Sequence, residues 1–217
     1  MFYAVDPELQ SIFKIQNWSG EMTQVEHDYM LWVDANLGAM KTDFSIVRTL
    51  NYEIVPTSSG KFLATVTMEY QHKGVFDWRT TRYRSYTRVY VPSGSKFISA
   101  LGTMEKDKSS VPGKVDVGSE NGKEWFGGFI SIEPGRTGRL SFTYLLPDRI
   151  NKQIELGQYS LLLQKQLGLV DMGLKVKLNF DRPILSAFPG EEKEKHGDNL
   201  YEFSGLIKTD REFIVKF

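Results

Sequence analysis

The stretch FLATVTMEY, Phe62 to Tyr70, alternates strictly: Phe62, Ala64, Val66, Met68 and Tyr70 take even positions, and Leu63, Thr65, Thr67 and Glu69 take odd ones. Successive side chains of a strand point to opposite faces, so this segment buries one face and wets the other. The same period returns in Arg139–Leu146, where Leu140, Phe142, Tyr144 and Leu146 share a face. It returns again in Gly173–Phe180 through Leu174, Val176, Leu178 and Phe180. The link PTSSGK between Val55 and Phe62 is hairpin chemistry, and Phe44–Val55 before it is long and β-branched.

Working outward, Tyr29–Val33, Thr80–Val91, Lys96–Thr103, Glu124–Ile132, Tyr159–Gln164, Leu185–Phe188, Leu200–Phe203 and Glu212–Phe217 read as further strands. Roughly ten to twelve strands at sandwich-like spacing predict an all-β fold, an antiparallel β-sandwich built as one unit or as two packed β subdomains. No helix between them is long enough for a parallel crossover. One short N-terminal helix is expected: Asp6 can cap it, Pro7 suits its first position, and Leu9, Ile12 and Phe13 fall on one face. The expected organisation is a segment 1–22 carrying that helix, a main sandwich 23–147, and 148–217 as a second β subdomain or a continuation. Pro147-Asp148-Arg149 marks the boundary. Glu105–Lys123 reads as a long exposed loop with one short strand at Lys114–Val117, and Glu191–Asn199 as a charged hairpin tip.

The 217 residues carry 27 Lys+Arg and 27 Asp+Glu, so no global field attracts nucleic acid, and none is expected as a partner. The absence of cysteine removes disulfides, thiol nucleophiles and thiolate metal sites together. His27, His72 and His196 stand apart and read as solvated loop residues, without metal-ligand spacing. There is no Gly-x-Ser-x-Gly elbow, phosphate loop or calcium loop. No catalytic residue, metal or cofactor is therefore expected. No run of about 18 apolar residues spans a bilayer, and the chain itself is not expected to contact a membrane. The N-terminus, MFYAVDPELQ, lacks the pattern of a signal peptide.

Two groups of residues invite a functional reading. Asp28, Asp34 and Asp43 bracket one segment, and carboxylates facing across a cleft can hydrolyse glycosidic bonds. Asp34-Ala35-Asn36-Leu37-Gly38, however, has the composition of a turn. The more distinctive segment is RTTRYRSYTRVY, Arg79 to Tyr90. On a strand, Arg82, Arg84, Tyr86, Arg88 and Tyr90 share one face as a basic, aromatic stripe suited to phosphate, carboxylate or sugar. The bland alternative is a wet β face whose arginines are paired by cross-strand acids such as Glu53 or Glu69.

The order of segments also resembles the C-terminal region of a bacterial domain-of-unknown-function family, family 4012. The resemblance rests on Phe2-Tyr3 through Asp6-Pro7-Glu8-Leu9-Gln10, on Trp18-Ser19-Gly20, and on Asp28-Tyr29-Met30. It continues through Val33-Asp34-Ala35-Asn36-Leu37-Gly38 and Lys41-Thr42-Asp43. The clearest match is Tyr86-Thr87-Arg88-Val89-Tyr90-Val91-Pro92-Ser93-Gly94, and the last is Tyr159 with Leu161-Leu162-Leu163-Gln164-Lys165-Gln166. Leu167 departs from it, where proline or a small residue is expected before Gly168. The resemblance implies an exported envelope protein held by an N-terminal transmembrane helix that this chain lacks, and it hands over no catalytic residues. The expectation that follows is a non-enzymatic extracellular β-sandwich module binding a glycan, an anionic cell-envelope polysaccharide, or another envelope protein. The rivals are a carboxylate-dependent hydrolase or transferase acting on envelope polysaccharide, and a structural spacer.

Overall fold

The computed structural model describes residues 2–16, 18–38, 40–191 and 197–217. Helix α1 (Pro7–Ile15) is followed by β1 (Asp28–Asn36), a short 3-10 turn at Thr42–Ser45, β2 (Ile46–Pro56), β3 (Phe62–His72), β4 (Tyr83–Pro92), β5 (Lys96–Leu101) and β6 (Asp116–Glu120). Then come β7 (Lys123–Ile132), β8 (Thr137–Leu145), α2 (Asp148–Glu155), β9 (Gln158–Gln164), β10 (Met172–Asn179), β11 (Ser186–Phe188), β12 (Leu200–Ile207) and β13 (Arg211–Lys216).

The strands form two packed sheets, one of seven strands in the order β11-β13-β9-β1-β4-β7-β6 and one of six in the order β12-β10-β2-β3-β8-β5. The even-numbered face of Phe62–Tyr70 is buried as its period requires, opposite Leu140, Phe142 and Tyr144 of β8. The sandwich is mixed rather than purely antiparallel, because β1 runs parallel to β9 and β2 parallel to β10. The missing crossover helix had argued against such pairs. Here the chain makes the crossover by traversing several strands of the sandwich before it returns.

Residues 148–217 add strands to both sheets, and one apolar cluster runs from Met30 to Val215 without a break at Asp148. The Pro147-Asp148-Arg149 corner, read from sequence as a boundary, starts α2. Ile150 and Ile154, one helical turn apart, drop into the core. Asn151 stitches the helix to the sheet: its Oδ1 accepts from the Phe62 amide at 3.1 Å, and its amide donates to the Leu146 carbonyl at 3.1 Å.

Helix α1 forms as its signals require, with Asp6 Oδ1 accepting from the Leu9 amide at 2.9 Å. The chain then crosses the outer face of the seven-stranded sheet. There Met22 and Val25 pack with Tyr29, Leu31, Val33, Tyr90, Trp125 and Leu162 in a second, smaller apolar cluster.

Two local readings are corrected. Asp34 and Asn36 belong to β1, and the turn begins only at Leu37; inward-facing Asp34 finds partners inside the sandwich that its own sequence neighbourhood cannot reveal. His72 ends β3 and is buried rather than solvated, with Nε2 2.8 Å from the Thr81 carbonyl oxygen. Residues 192–196 of the expected charged tip, His196 among them, lie outside the described residues. No helix among the described residues is long and apolar enough to cross a membrane.

Candidate binding face

Alternation along β1 turns Asp28, Met30, Trp32 and Asp34 inward, and both aspartates end up between the sheets. Asp34 Oδ1 accepts from Tyr70 Oη at 2.7 Å, Thr87 Oγ1 at 2.7 Å and Trp32 Nε1 at 3.1 Å. Its Oδ2 meets Arg48 Nε at 3.1 Å, in an ion pair whose side chains are 1% and 4% exposed. Arg48 goes on to donate to Asp43 Oδ1 and to Tyr83 Oη, both at 2.8 Å. The charge of the guanidinium is thus shared between two carboxylates, and its Nε and Nη2 donors are occupied.

Asp28 is held differently. Tyr159 Oη donates to Oδ2 at 2.5 Å and Tyr52 Oη at 2.7 Å, while the Tyr29 amide donates to Oδ1 at 2.8 Å. No described cation pairs with it, and burial pushes its carboxyl above the usual carboxylate range against the pull of these donors. Burial, reinforced by the Asp28 charge, raises Tyr52, Tyr144 and Tyr159 in turn. The three carboxylates singled out in the sequence are therefore engaged in internal hydrogen bonding.

The opposite face of β4 carries the predicted stripe. Arg84, Tyr86, Arg88 and Tyr90 share the outer face, where Tyr90 is buried among Met22, Val25 and Trp125, while Arg82 precedes the strand and is also buried. Each is already engaged. Arg82 Nη2 lies 2.6 Å from Glu133 Oε1, and Arg82 Nη1 lies 3.4 Å from Asp107 Oδ2. Arg84 Nε stands 3.0 Å from the same Asp107 oxygen as an ion pair, off the hydrogen-bond direction. Tyr86 Oη donates to Asp116 Oδ2 at 2.7 Å, Arg88 Nη1 to Glu120 Oε1 at 3.2 Å, and Tyr90 Oη to Glu120 Oε1 at 2.5 Å. The acids thus come from β6, from the loop before it and from Glu133, just past the end of β7. Glu69 pairs instead with Arg139 at 2.7 Å. Glu53 stands on β2, in the other sheet. The loop 105–115, read from sequence only as exposed, supplies Asp107.

Sequence reasoning missed the residue on which the stripe rests. Trp125 of β7 stands opposite Tyr90 in register, and its ring folds sideways over Gly118 of β6. A Cβ on Gly118 would come within 2.6 Å of the indole, and one on Gly127 within 2.6 Å of Tyr86 Oη. The two glycines are the space the rings occupy. The Arg88 guanidinium sits over the indole at 4.0 Å from its centroid and 5.9 Å from the Tyr86 ring. The signal in the sequence was W-F-G-G, an aromatic one strand step from a glycine, across from R-V-Y.

At the Tyr90 end this stack adjoins a cleft of about 320 Å³. Leu31, Val33 and Met22 form its apolar part, and Tyr90, Gln164, Lys165 and Asp210 its polar edge. Burial raises the Asp210 carboxyl above its ordinary range, opposed by the Lys165 amide that donates to it at 2.9 Å. Glu21, also on the cleft, pairs with Lys14 at 3.1 Å. Among the described residues no group of three or more His, Asp or Glu is placed to hold a metal ion.

No protein-family model and no curated protein matches the chain. Among solved structures it is similar to a protein described as a putative nutrient binding protein from Legionella pneumophila. That likeness has 7% identity and a TM-score of 0.48 over 87% of this chain and 71% of the other. It also overlaps an M1 zinc metallopeptidase from Deinococcus radiodurans, at 11% identity and a TM-score of 0.28, where it spans 42% of that chain. Overlaps this loose carry no argument about activity.

Proposed function

We propose that the chain is a non-catalytic module that holds a glycan on the outer face of its seven-stranded sheet, in the extracellular setting of an envelope protein. The observation that carries this reading is the glycine-seated stack of Trp125, Arg88 and Tyr86 running into the cleft beside Tyr90. Planar rings and guanidinium groups offer flat surface to the C–H faces of sugars, and the flanking arginine–carboxylate pairs offer donors and acceptors side by side to hydroxyl groups. The cleft volume falls at the lower end of the range for small-ligand sites. Because the arginines already have acidic partners, a bare polyanion would compete with Glu120 and Asp107 for them. A hydroxyl-rich polymer would not, and its binding should weaken little with salt. The test is a panel of soluble cell-wall polysaccharides titrated into the parent and into Trp125→Ala with Arg88→Ala. Retention by the parent and loss in the variant supports the reading; equal binding, or none by either, overturns it.

A second reading is favoured by Asp210: a half-buried carboxyl with a raised pKa on a cleft beside Tyr90 suits a general acid acting on the same polysaccharide. Release of reducing ends by the parent, abolished in Asp210→Asn while binding persists, would establish it.

A further inference from the structure

At the Arg82 end of β4, opposite the cleft, two loops are bonded side by side. The Lys41 amide donates to the Arg79 carbonyl at 2.9 Å, the Thr81 amide to Thr42 Oγ1 at 3.2 Å, and the Lys73 amide to the Ser45 carbonyl at 2.7 Å. These bonds satisfy backbone groups but leave large apolar side chains in water. Phe44 is 84% and Trp78 81% exposed, with Val75 and Phe76 exposed beside them. Single exposed apolar residues are ordinary on a protein surface; four on two adjoining loops form a patch that calls for a partner.

We propose that this loop pair, 40–45 with 73–82, seats on the surface of an anionic lipid bilayer. The inference stands independently of the glycan reading and replaces the expectation that the chain makes no membrane contact. Two features favour lipid over a protein partner. First, neither Phe44, Val75, Phe76 nor Trp78 lines the cleft described above. Protein interfaces anchor their aromatics in close-packed pockets, while a bilayer accepts projecting side chains without shape matching.

Second, the ionic groups around the patch are sorted. Asp43 is bound by Arg48 at 2.8 Å and by Asn36 at 2.8 Å, and the Asp77 carboxylate caps the Arg79 and Thr80 amides at 2.8 and 2.6 Å. Lys41 and Lys73 make no ion pair among the described residues, and Arg79 lies over the Trp78 ring at 5.1 Å. An apolar tip with tryptophan at its rim and cations beside it matches the layering of a bilayer, with acyl chains below and acidic headgroups above. Docked by this tip, the module would hold the Tyr90 cleft some 26 Å along β4 from Arg82, at about 3.3 Å per residue, away from the headgroups.

The experiment is co-sedimentation of the full chain with vesicles of phosphatidylglycerol and phosphatidylcholine, compared with phosphatidylcholine alone. It is run on the parent, on Phe44→Ser with Trp78→Ser, and on Lys41→Glu with Lys73→Glu. All four positions are exposed, so circular dichroism should be unchanged in both variants. The proposal expects the parent to sediment with anionic vesicles, the apolar double variant to lose roughly ten-fold or more in partitioning, and the charge-reversed variant to lose its preference for the anionic lipid. A parent that stays in the supernatant overturns it, as does an apolar double variant that partitions like the parent. So does sedimentation velocity showing that the vesicle-free parent self-associates through the patch and the serine variant does not.

Discussion

Two guanidinium–carboxylate pairs lie on opposite sides of β4. Arg48 and Asp34, on the inner side, are 4% and 1% exposed. Arg88 and Glu120, on the outer side, are 36% and 41% exposed. The chemistry is the same and the distances are nearly so, at 3.1 and 3.2 Å. Their consequences differ because water does. Inside, each ion has lost its hydration, and the tyrosine, tryptophan and threonine donors around Asp34 stand in for it. Removing one partner leaves a charge with nothing to replace that partner. Outside, water substitutes for either partner, so the pair contributes little to stability. The groups on that face can be exchanged for a ligand at small cost. The inner face is therefore structural, and the outer face is the one whose polar groups are free to exchange partners.

The largest expected effect is on the inner pair. Asp34→Asn keeps an oxygen for Tyr70 and Thr87 but removes the charge opposite Arg48. Since Asp43 still holds that guanidinium, the loss should sit near the lower end for broken buried pairs, about 3 kcal/mol in urea denaturation. A loss below about 1 kcal/mol would mean the interior pair behaves like a surface pair and would erase the contrast.

The same substitution six residues earlier should behave otherwise. Asp28 has no cationic partner among the described residues, so Asp28→Asn strands no charge there. The folded carboxyl titrates above the ordinary value, so the unfolded chain loses this proton first. Asp28's contribution to the parent's stability should therefore fall as pH rises above about 4, until the folded carboxyl has itself titrated. Asp28→Asn lacks this decline, and its stability relative to the parent should improve between pH 4 and pH 8. Denaturation midpoints that leave the two proteins a constant distance apart across that range would contradict the assignment. Smaller again is the outer pair: Glu120→Gln should shift stability by about 0 to 1 kcal/mol. Gly118→Ala should likewise leave the core intact while displacing the indole it seats, so that any polysaccharide binding falls with little change in melting temperature.

Much of the fold was legible because period-two burial is a local signal. Phe62–Tyr70 and Leu140–Tyr144 pair face to face as their alternation requires. What stayed hidden depends on partners distant in the chain. The parallel pairs β1–β9 and β2–β10 join residues more than a hundred positions apart, beyond any turn signal. Asp34 looked like a turn residue because Arg48 and Tyr70 are invisible from its neighbours. Helix α2 was concealed by polar Asp148, Arg149, Asn151 and Lys152, with Ile150 and Ile154 as its only apolar mark. At the candidate face the co-facial set Arg84 to Tyr90 was readable from alternation. Its acids, its tryptophan and the glycines beneath the rings required the register of β6, β7 and β4.

The most direct test of the binding face is amide hydrogen exchange of the intact chain with and without a saturating envelope polysaccharide. Added protection is expected in β4, β6 and β7 around Tyr86–Tyr90, Asp116–Glu120 and Lys123–Gly127, with the β10–β12 edge of the other sheet unchanged. Protection confined to β10 and β12, or none anywhere at saturation, would contradict it.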